Sequence, residues 1–263
     1  MVSSFWIIFF ILGLIIGSFL NVVIYRINTK KSLGGRSACM TCGHKLAWYE
    51  LIPVLSFLSL RGRCRVCQSR ISIQYPLVEL ASGLIFAFLF IKFFYISNLD
   101  FAISYAFYAV MFSFLVVIST YDLKHKIIPD MLVYIFGALA FVGLFLFKNY
   151  VFFVHVPTLL EFLSGVLIAL PFAFFWLVSG GRWMGFGDAK LALGLGWFLG
   201  LSAALSGLVI AFWSGAIIGI TLVVFSKIKR VGGMGMKSEI PFAPFLILGA
   251  FIAFIYSLNL FGF

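Results

Sequence analysis

The chain has 263 residues, of which 63% are hydrophobic, 19% aromatic and only 10% charged, with a formal net charge of +11. A soluble domain of this length cannot bury that much apolar surface, because core volume is limited by size. Several charge-free windows have the roughly 17–22 residues needed to cross a hydrocarbon layer about 30 Å thick, so the sequence reads as an all-α polytopic membrane protein.

Eight transmembrane helices are expected in chain order, over about 5–25, 77–97, 101–121, 130–147, 159–179, 189–202, 204–225 and 242–261. The first, Phe5 to Tyr25, is too long for a signal-peptide core and its basic residues follow it, so it reads as a retained span. Between the sixth and seventh, Gly200, Leu201 and Ser202 must make the turn, unless the two form one kinked segment. With Met1 outside, seventeen of the nineteen Lys and Arg fall inside, leaving Lys92 and Lys148 toward the outside. The inside set includes Lys30, Lys31, Lys227, Lys229, Arg230 and Lys237. The positive charge is thus a topology signal and an attraction to anionic membrane lipids. No nucleic-acid partner is expected, since no aromatic–basic soluble domain accompanies it.

Three regions follow: a first transmembrane helix (1–25), a polar loop (26–76) and a transmembrane core (77–263). The loop carries all four cysteines, as "CMTC" at 39–42 and "CRVC" at 64–67. Two CxxC knuckles 21 residues apart resemble a four-cysteine zinc ribbon, with Cys39, Cys42, Cys64 and Cys67 as ligands. The orientation places them in the reducing cytoplasm, where lasting disulfides are disfavoured. Arg61, Arg63, Arg65 and Arg70 are available to offset the negative charge of four thiolates. Unligated thiols or a redox pair are the alternatives. His44 reads as an ordinary loop residue. A closed shell of four sulfurs leaves no open position for hydrolysis, so the zinc would be structural, stabilising a loop too short for a large core.

Only eight Asp and Glu residues occur in the chain, and two stand where apolar runs meet the inside boundary. Asp122, in "YDLKHKIIPD", ends the charge-free run from Phe101, and Asp188, in "GFGDAK", opens the apolar run of the sixth span. Carboxylates near hydrocarbon persist there for function or with a partner. Two at matched depth on different helices are the parts of an aspartyl protease, one taking a proton from water and the other polarising the scissile carbonyl. Such a pair shares a proton and titrates as a unit. Gly185 and Gly187 are expected to permit close backbone approach and unusual dihedrals, so that an extended substrate lies beside Asp188. The structural alternative is that Asp188 caps the helix beginning at Ala189. Asp130, after Pro129, reads as an N-terminal helix residue. No HExxH or GxSxG occurs.

These residues together resemble the type IV prepilin peptidases, bacterial membrane aspartyl proteases of the GxGD class. The resemblance runs through "GSFLNVVIYR", both CxxC pairs, "LIPVLSFLSLRGRCRVC", "ISIQYPLVEL", "DLKHKIIPD", "GFGDAKLALGLG" and "IPFAPFL". It implies that Asp122 and Asp188 are the catalytic aspartates. Ala243 in "IPFAPF" departs from the glycine expected there. The resemblance further implies an inner-membrane enzyme that removes the basic leader of prepilins and pseudopilins after a glycine. It would then N-methylate the new terminus with S-adenosylmethionine. No glycine-rich nucleotide loop is evident, and Glu50 and Glu79 are candidates for the methyl-donor site only as rare acids beside the cysteine loop.

Substrate topology agrees with this. A basic leader followed by an apolar helix inserts leader-inside, which puts the scissile bond at the depth of Asp122 and Asp188. A basic leader then meets a basic enzyme face, with Glu50, Glu79, Glu239 and anionic lipid as the available counter-charges. Competing readings are a GxGD protease with other membrane substrates, a transporter using the two acids as an ion site, and a cysteine-loop membrane scaffold without catalysis.

Overall fold

The computed structural model describes residues 5–29, 32, 34–96, 98–228 and 241–262. Lys30, Lys31, Lys229, Arg230, Lys237 and Glu239 lie outside the described residues, as does Ile240 of "IPFAPFL". Each of the eight expected spans corresponds to a helix: α1 (Phe5–Arg26), α3 (Gln74–Phe93), α4 (Asn98–His125), α5 (Asp130–Leu146), α6 (Leu159–Ser179), α7 (Phe186–Leu199), α8 (Leu201–Ile228) and α9 (Ala243–Ile255). A five-residue helix, α2 (Leu55–Ser59), sits in the cysteine loop. Five of these helices, α1, α3, α4, α6 and α8, are long and apolar enough to cross a membrane, while α5 and α9 are shorter. A two-residue strand pair, β1 (Phe147–Lys148) with β2 (Val151–Phe152), follows α5.

Helix ends differ from expectation for identifiable reasons. α3 begins at Gln74, ahead of Pro76, because a missing N–H costs nothing in the first turn. α4 runs one turn past Asp122 to His125, where Lys124 and His125 suit the negative end of the helix dipole, and Lys126 closes it at φ 55°. Asp122 is therefore inside a helix and not at its end. α7 and α8 are two helices and not one kinked segment. Gly200 alone, at φ 79°, breaks them, so Leu201 and Ser202 belong to α8 and not to the turn.

The chain forms two compact units, Met1–Val117 and Ile118–Phe263, with α4 continuing from the first into the second. In the first unit α1 lies against α3. A Cβ on Gly13 would stand 2.6 Å from the Ser82 carbonyl oxygen, and one on Gly17 would stand 2.8 Å from the Glu79 Cα. Two glycines one turn apart thus let the backbones touch, the packing that membrane helices use where apolar burial gives no drive. Phe9 adds ring contacts to Phe90, Phe101 and Tyr105, drawing in the start of α4. In the second unit α7 is packed by α5 and α6, with Ser164 Oγ donating 2.9 Å to the Gly196 carbonyl. α8 and α9 pack together beside them.

Candidate active site and candidate metal centre

Both aspartates belong to the second unit, and both are buried, Asp122 at 5% and Asp188 at 8% exposure. The turn between α4 and α5 is held against the first turn of α7 at two points. A Cβ on Gly187 would fall 2.9 Å from Ile128 Cβ, so only glycine lets α7 approach this closely. Further along the same segments, Lys190 Nζ donates 2.7 Å to Asp130 Oδ1, while lying over the Tyr134 and Phe186 rings. These ties bring the end of α4 and the start of α7 together, and the charge on Asp122 acts on Asp188. The start of α9 completes the site, since the Ala243 backbone N–H donates to the Asp122 carboxylate.

Asp188 does not cap its helix. α7 begins at Phe186 with Gly185 as N-cap and no side-chain cap bond, which puts Asp188 in the third helical position. Its Oδ1 is buried and has no hydrogen-bond partner. Asp130 opens α5, is largely exposed, and is engaged by Lys190. The two glycines differ from expectation. Neither adopts a left-handed conformation; Gly185 is extended at φ −75° and ψ 149°, and Gly187 is helical. Close approach is confined to Gly187, because a Cβ on Gly185 would meet nothing nearer than 3.9 Å. Ala243 stood out in the sequence only as a departure; its contribution is a backbone N–H, which residue identity does not announce. Ile128 carried no signal at all.

The four cysteine sulfurs lie within 4.8 Å of one another. Each CxxC forms the same knuckle. Cys39 N–H donates to His44 O at 2.9 Å and Gly43 N–H to Cys39 O at 3.0 Å, while Cys64 N–H donates to Ser69 O at 2.8 Å and Gln68 N–H to Cys64 O at 3.0 Å. Gly43 and Gln68 both take positive φ to turn the chain, and the bridges Ala38–Lys45 and Arg63–Arg70 close the knuckles. The Cys39–Cys67 and Cys42–Cys64 sulfur distances are 3.8 and 4.0 Å. A tetrahedral ion with metal–sulfur bonds of about 2.3 Å sets neighbouring sulfurs about 3.8 Å apart, so the cluster is positioned to bind a metal ion.

Thiol electrostatics agree. Backbone N–H groups of Cys42 and Thr41 pull the Cys39 thiol down to about 6. The Ser69 hydroxyl and N–H lower Cys67. Cys42 is pushed up to about 11: the His44 backbone works against this, but lost hydration and the neighbouring sulfurs of Cys67, Cys39 and Cys64 outweigh it. One thiolate thus opposes the next until a cation compensates them. His44 is not a ligand; its Nε2 lies 3.4 Å from Glu50 Oε2, and the Ala47 N–H on that oxygen holds the Glu50 carboxyl below its usual range. Glu79, on α3, accepts the Val54 N–H at 2.7 Å.

A family model described as the bacterial peptidase A24 N-terminal domain matches residues 11–93, and one described as the type IV leader peptidase family matches residues 109–220. The chain is 38% identical to a prepilin leader peptidase/N-methyltransferase of Myxococcus xanthus over 236 residues, covering 88% of this chain but 65% of that one. It is 31% identical over 274 residues to the protein of that name from Pseudomonas putida, covering 94% and 88%. Over 280 residues it is 31% identical to the Pseudomonas aeruginosa protein of the same name, again covering 94% and 88%. No solved structure matches the chain.

Proposed function

Because this chain belongs to the type IV leader peptidase family, we propose that it removes the basic leader of prepilins or pseudopilins and then N-methylates the new amino terminus. The observation that carries the reading is a pair of buried aspartates on two helices, electrostatically coupled and unshielded by cap bonds. Asp122, which accepts the Ala243 N–H, is assigned as general base. Asp188, with an unpartnered buried oxygen, is assigned as the protonated partner. Asp122 takes a proton from water as the water oxygen attacks the scissile carbonyl. Asp188 donates to the carbonyl oxygen and stabilises the charge that develops there. As the C–N bond breaks, the proton held by Asp122 passes to the leaving nitrogen, and the collapsing diol returns a hydroxyl proton to Asp188.

The site is placed at the cytoplasmic boundary of a bacterial inner membrane, with the cysteine loop on the same side. This follows from the basic residues and the leader-inside topology of such substrates. Cys39, Cys42, Cys64 and Cys67 would hold zinc, whose contribution is to fold residues 26–76 between the first span and the protease core of 77–263. S-adenosylmethionine would supply an electrophilic methyl carbon for the second reaction. Mass spectrometry of a co-expressed prepilin tests the whole reading. Loss of the leader and gain of one methyl group are expected, and an intact leader beside well-inserted enzyme would overturn it.

A further inference from the structure

The cysteine loop leaves a run of large apolar side chains uncovered. Trp48, Leu51, Ile52, Leu55 and Leu58 follow one another at intervals of one to three residues and are all exposed, Trp48 at 77%, Leu55 at 64% and Leu58 at 63%. They are carried by the single turn Trp48–Leu51, by the link after it and by α2, which touches that turn. Apolar side chains exposed singly need no explanation, but this many together mark a contact surface.

α3 fixes the height at which this surface stands. Its 20 residues rise about 30 Å, the thickness of the hydrocarbon layer, so Gln74 marks the membrane edge. Glu79 is then about 8 Å further in along the helix. Its carboxylate accepts the Val54 N–H at 2.7 Å, which draws the 48–58 segment down beside the first turns of α3, where Leu77 and Leu80 are already exposed. Val54 sits at φ 60°, a costly conformation for a β-branched residue, so the segment is held there against its local backbone preference. The charges fit a lipid surface. Between Gly34 and Ile73 the exposed charged side chains are all cations, Arg36, Lys45, Arg61, Arg63, Arg65 and Arg70, and the one acid, Glu50, is buried. Arg65 donates 2.6 Å to the Tyr49 hydroxyl and lies over that ring, which pins a cation next to Trp48.

We propose that residues 48–58 are a membrane-interface anchor for the cysteine loop. The apolar side chains enter the hydrocarbon edge of the leaflet beside the loop, and the cations around them bind anionic phospholipid headgroups. Trp and Tyr at headgroup depth, apolar side chains about 5–10 Å in and basic residues around them are how a segment lies in an interface without crossing it. The anchor holds the loop flat on the bilayer at the depth that the Val54–Glu79 bond sets. A basic peptide is a poor occupant of the same surface, because six cations repel it.

The test uses the full chain in nanodiscs of phosphatidylcholine with or without phosphatidylglycerol. One protein carries the photoreactive p-benzoylphenylalanine in place of Leu55, and a second carries it in place of Trp48; both positions are exposed, so the probe displaces little packing. After irradiation, mass spectrometry should find phospholipid adducts at both. At Trp48, phosphatidylglycerol should be enriched over its share of the disc by at least about fivefold, what one cation near an anionic surface contributes. Arg61→Gln, Arg63→Gln and Arg65→Gln together should abolish that enrichment while keeping the adducts, with melting temperature as the check on folding. Unmodified protein gives an independent reading: amide exchange across 48–58 should slow about fivefold or more when phosphatidylglycerol is present. No lipid adduct at either position, adducts to added prepilin that replace the lipid, or exchange and adducts indifferent to phosphatidylglycerol would overturn the proposal.

Discussion

Gly187→Ala should impair cleavage far more than it unfolds the protein. The added Cβ would stand 2.9 Å from Ile128 Cβ and 3.3 and 3.4 Å from Ile128 Cδ1 and Cγ1. Ordinary carbon contacts lie near 3.5–4.0 Å, so the two segments must part by about 0.6–1 Å. The clash falls on a Cβ, which no rotamer change can move. Overpacking of this kind costs about 1–3 kcal/mol, and alanine returns about 0.8–1 kcal/mol in helix propensity, leaving a net loss of about 0–2 kcal/mol. The same displacement separates Asp188 from the end of α4. A misplacement of about 1 Å at reacting groups can cost about a hundredfold. Initial rates on a purified prepilin in detergent should therefore show kcat lowered about 10- to 100-fold, with KM changed much less. Gly185→Ala is the control for stability, because its Cβ meets nothing within 3.9 Å and its φ of −75° suits alanine. Unchanged kcat in Gly187→Ala, or equal loss of melting temperature in the two variants, would refute the close-approach account.

Asp122→Asn and Asp188→Asn should each lower leader cleavage by at least about a thousandfold while leaving insertion and helicity intact, since an amide can fill neither proton-transfer role; cleavage assays beside circular dichroism check this. Asp130→Asn should keep most of its activity and lose no more than about 1 kcal/mol of stability, because the Lys190 pair it breaks is largely exposed on the Asp130 side. Zinc added to reduced, metal-free protein at pH 7 should release at least one proton per ion. The Cys42 thiol, pushed up to about 11, is protonated before binding, whereas Cys39 at about 6 is already ionised. Titration calorimetry in buffers of different ionisation heat reads the number, and zero release would contradict a Cys42 ligand. By the same sign, lowering the pH should loosen the metal.

The helices were legible because eight apolar runs, punctuated by Gly, Pro and basic residues, leave few other arrangements in a membrane. Their ends were less so. α4 gained a turn past Asp122 because Leu123, Lys124 and His125 are good helix residues, and a charge-free window ignores them. The cysteine cluster was legible in full, since two CxxC knuckles fix their own geometry. At the acid pair, residue identity announced Asp122 and Asp188 but could not show Ala243, whose contribution is a backbone donor. It also could not divide the roles of Gly185 and Gly187, which depend on where Ile128 lies.

In the function proposed above, hydrolysis and methyl transfer make opposite demands on a site. The aspartates and the groups that position them, Ile128, Gly187 and Ala243, belong to residues 118–263, and the thiol cluster belongs to residues 1–117. Hydrolysis needs a carboxylate pair sheltered from bulk water. Methyl transfer needs a neutral amine and an electrophilic carbon, and a charged wall to hold a zwitterion. One pocket serving both would bring an activated water to a reactive sulfonium, and would set the cation of the donor against the shared proton of the acid pair. Separate residue sets remove both conflicts. The chemistry also sets an order: the amine does not exist until the peptide bond is cut, so methyl transfer can only follow cleavage.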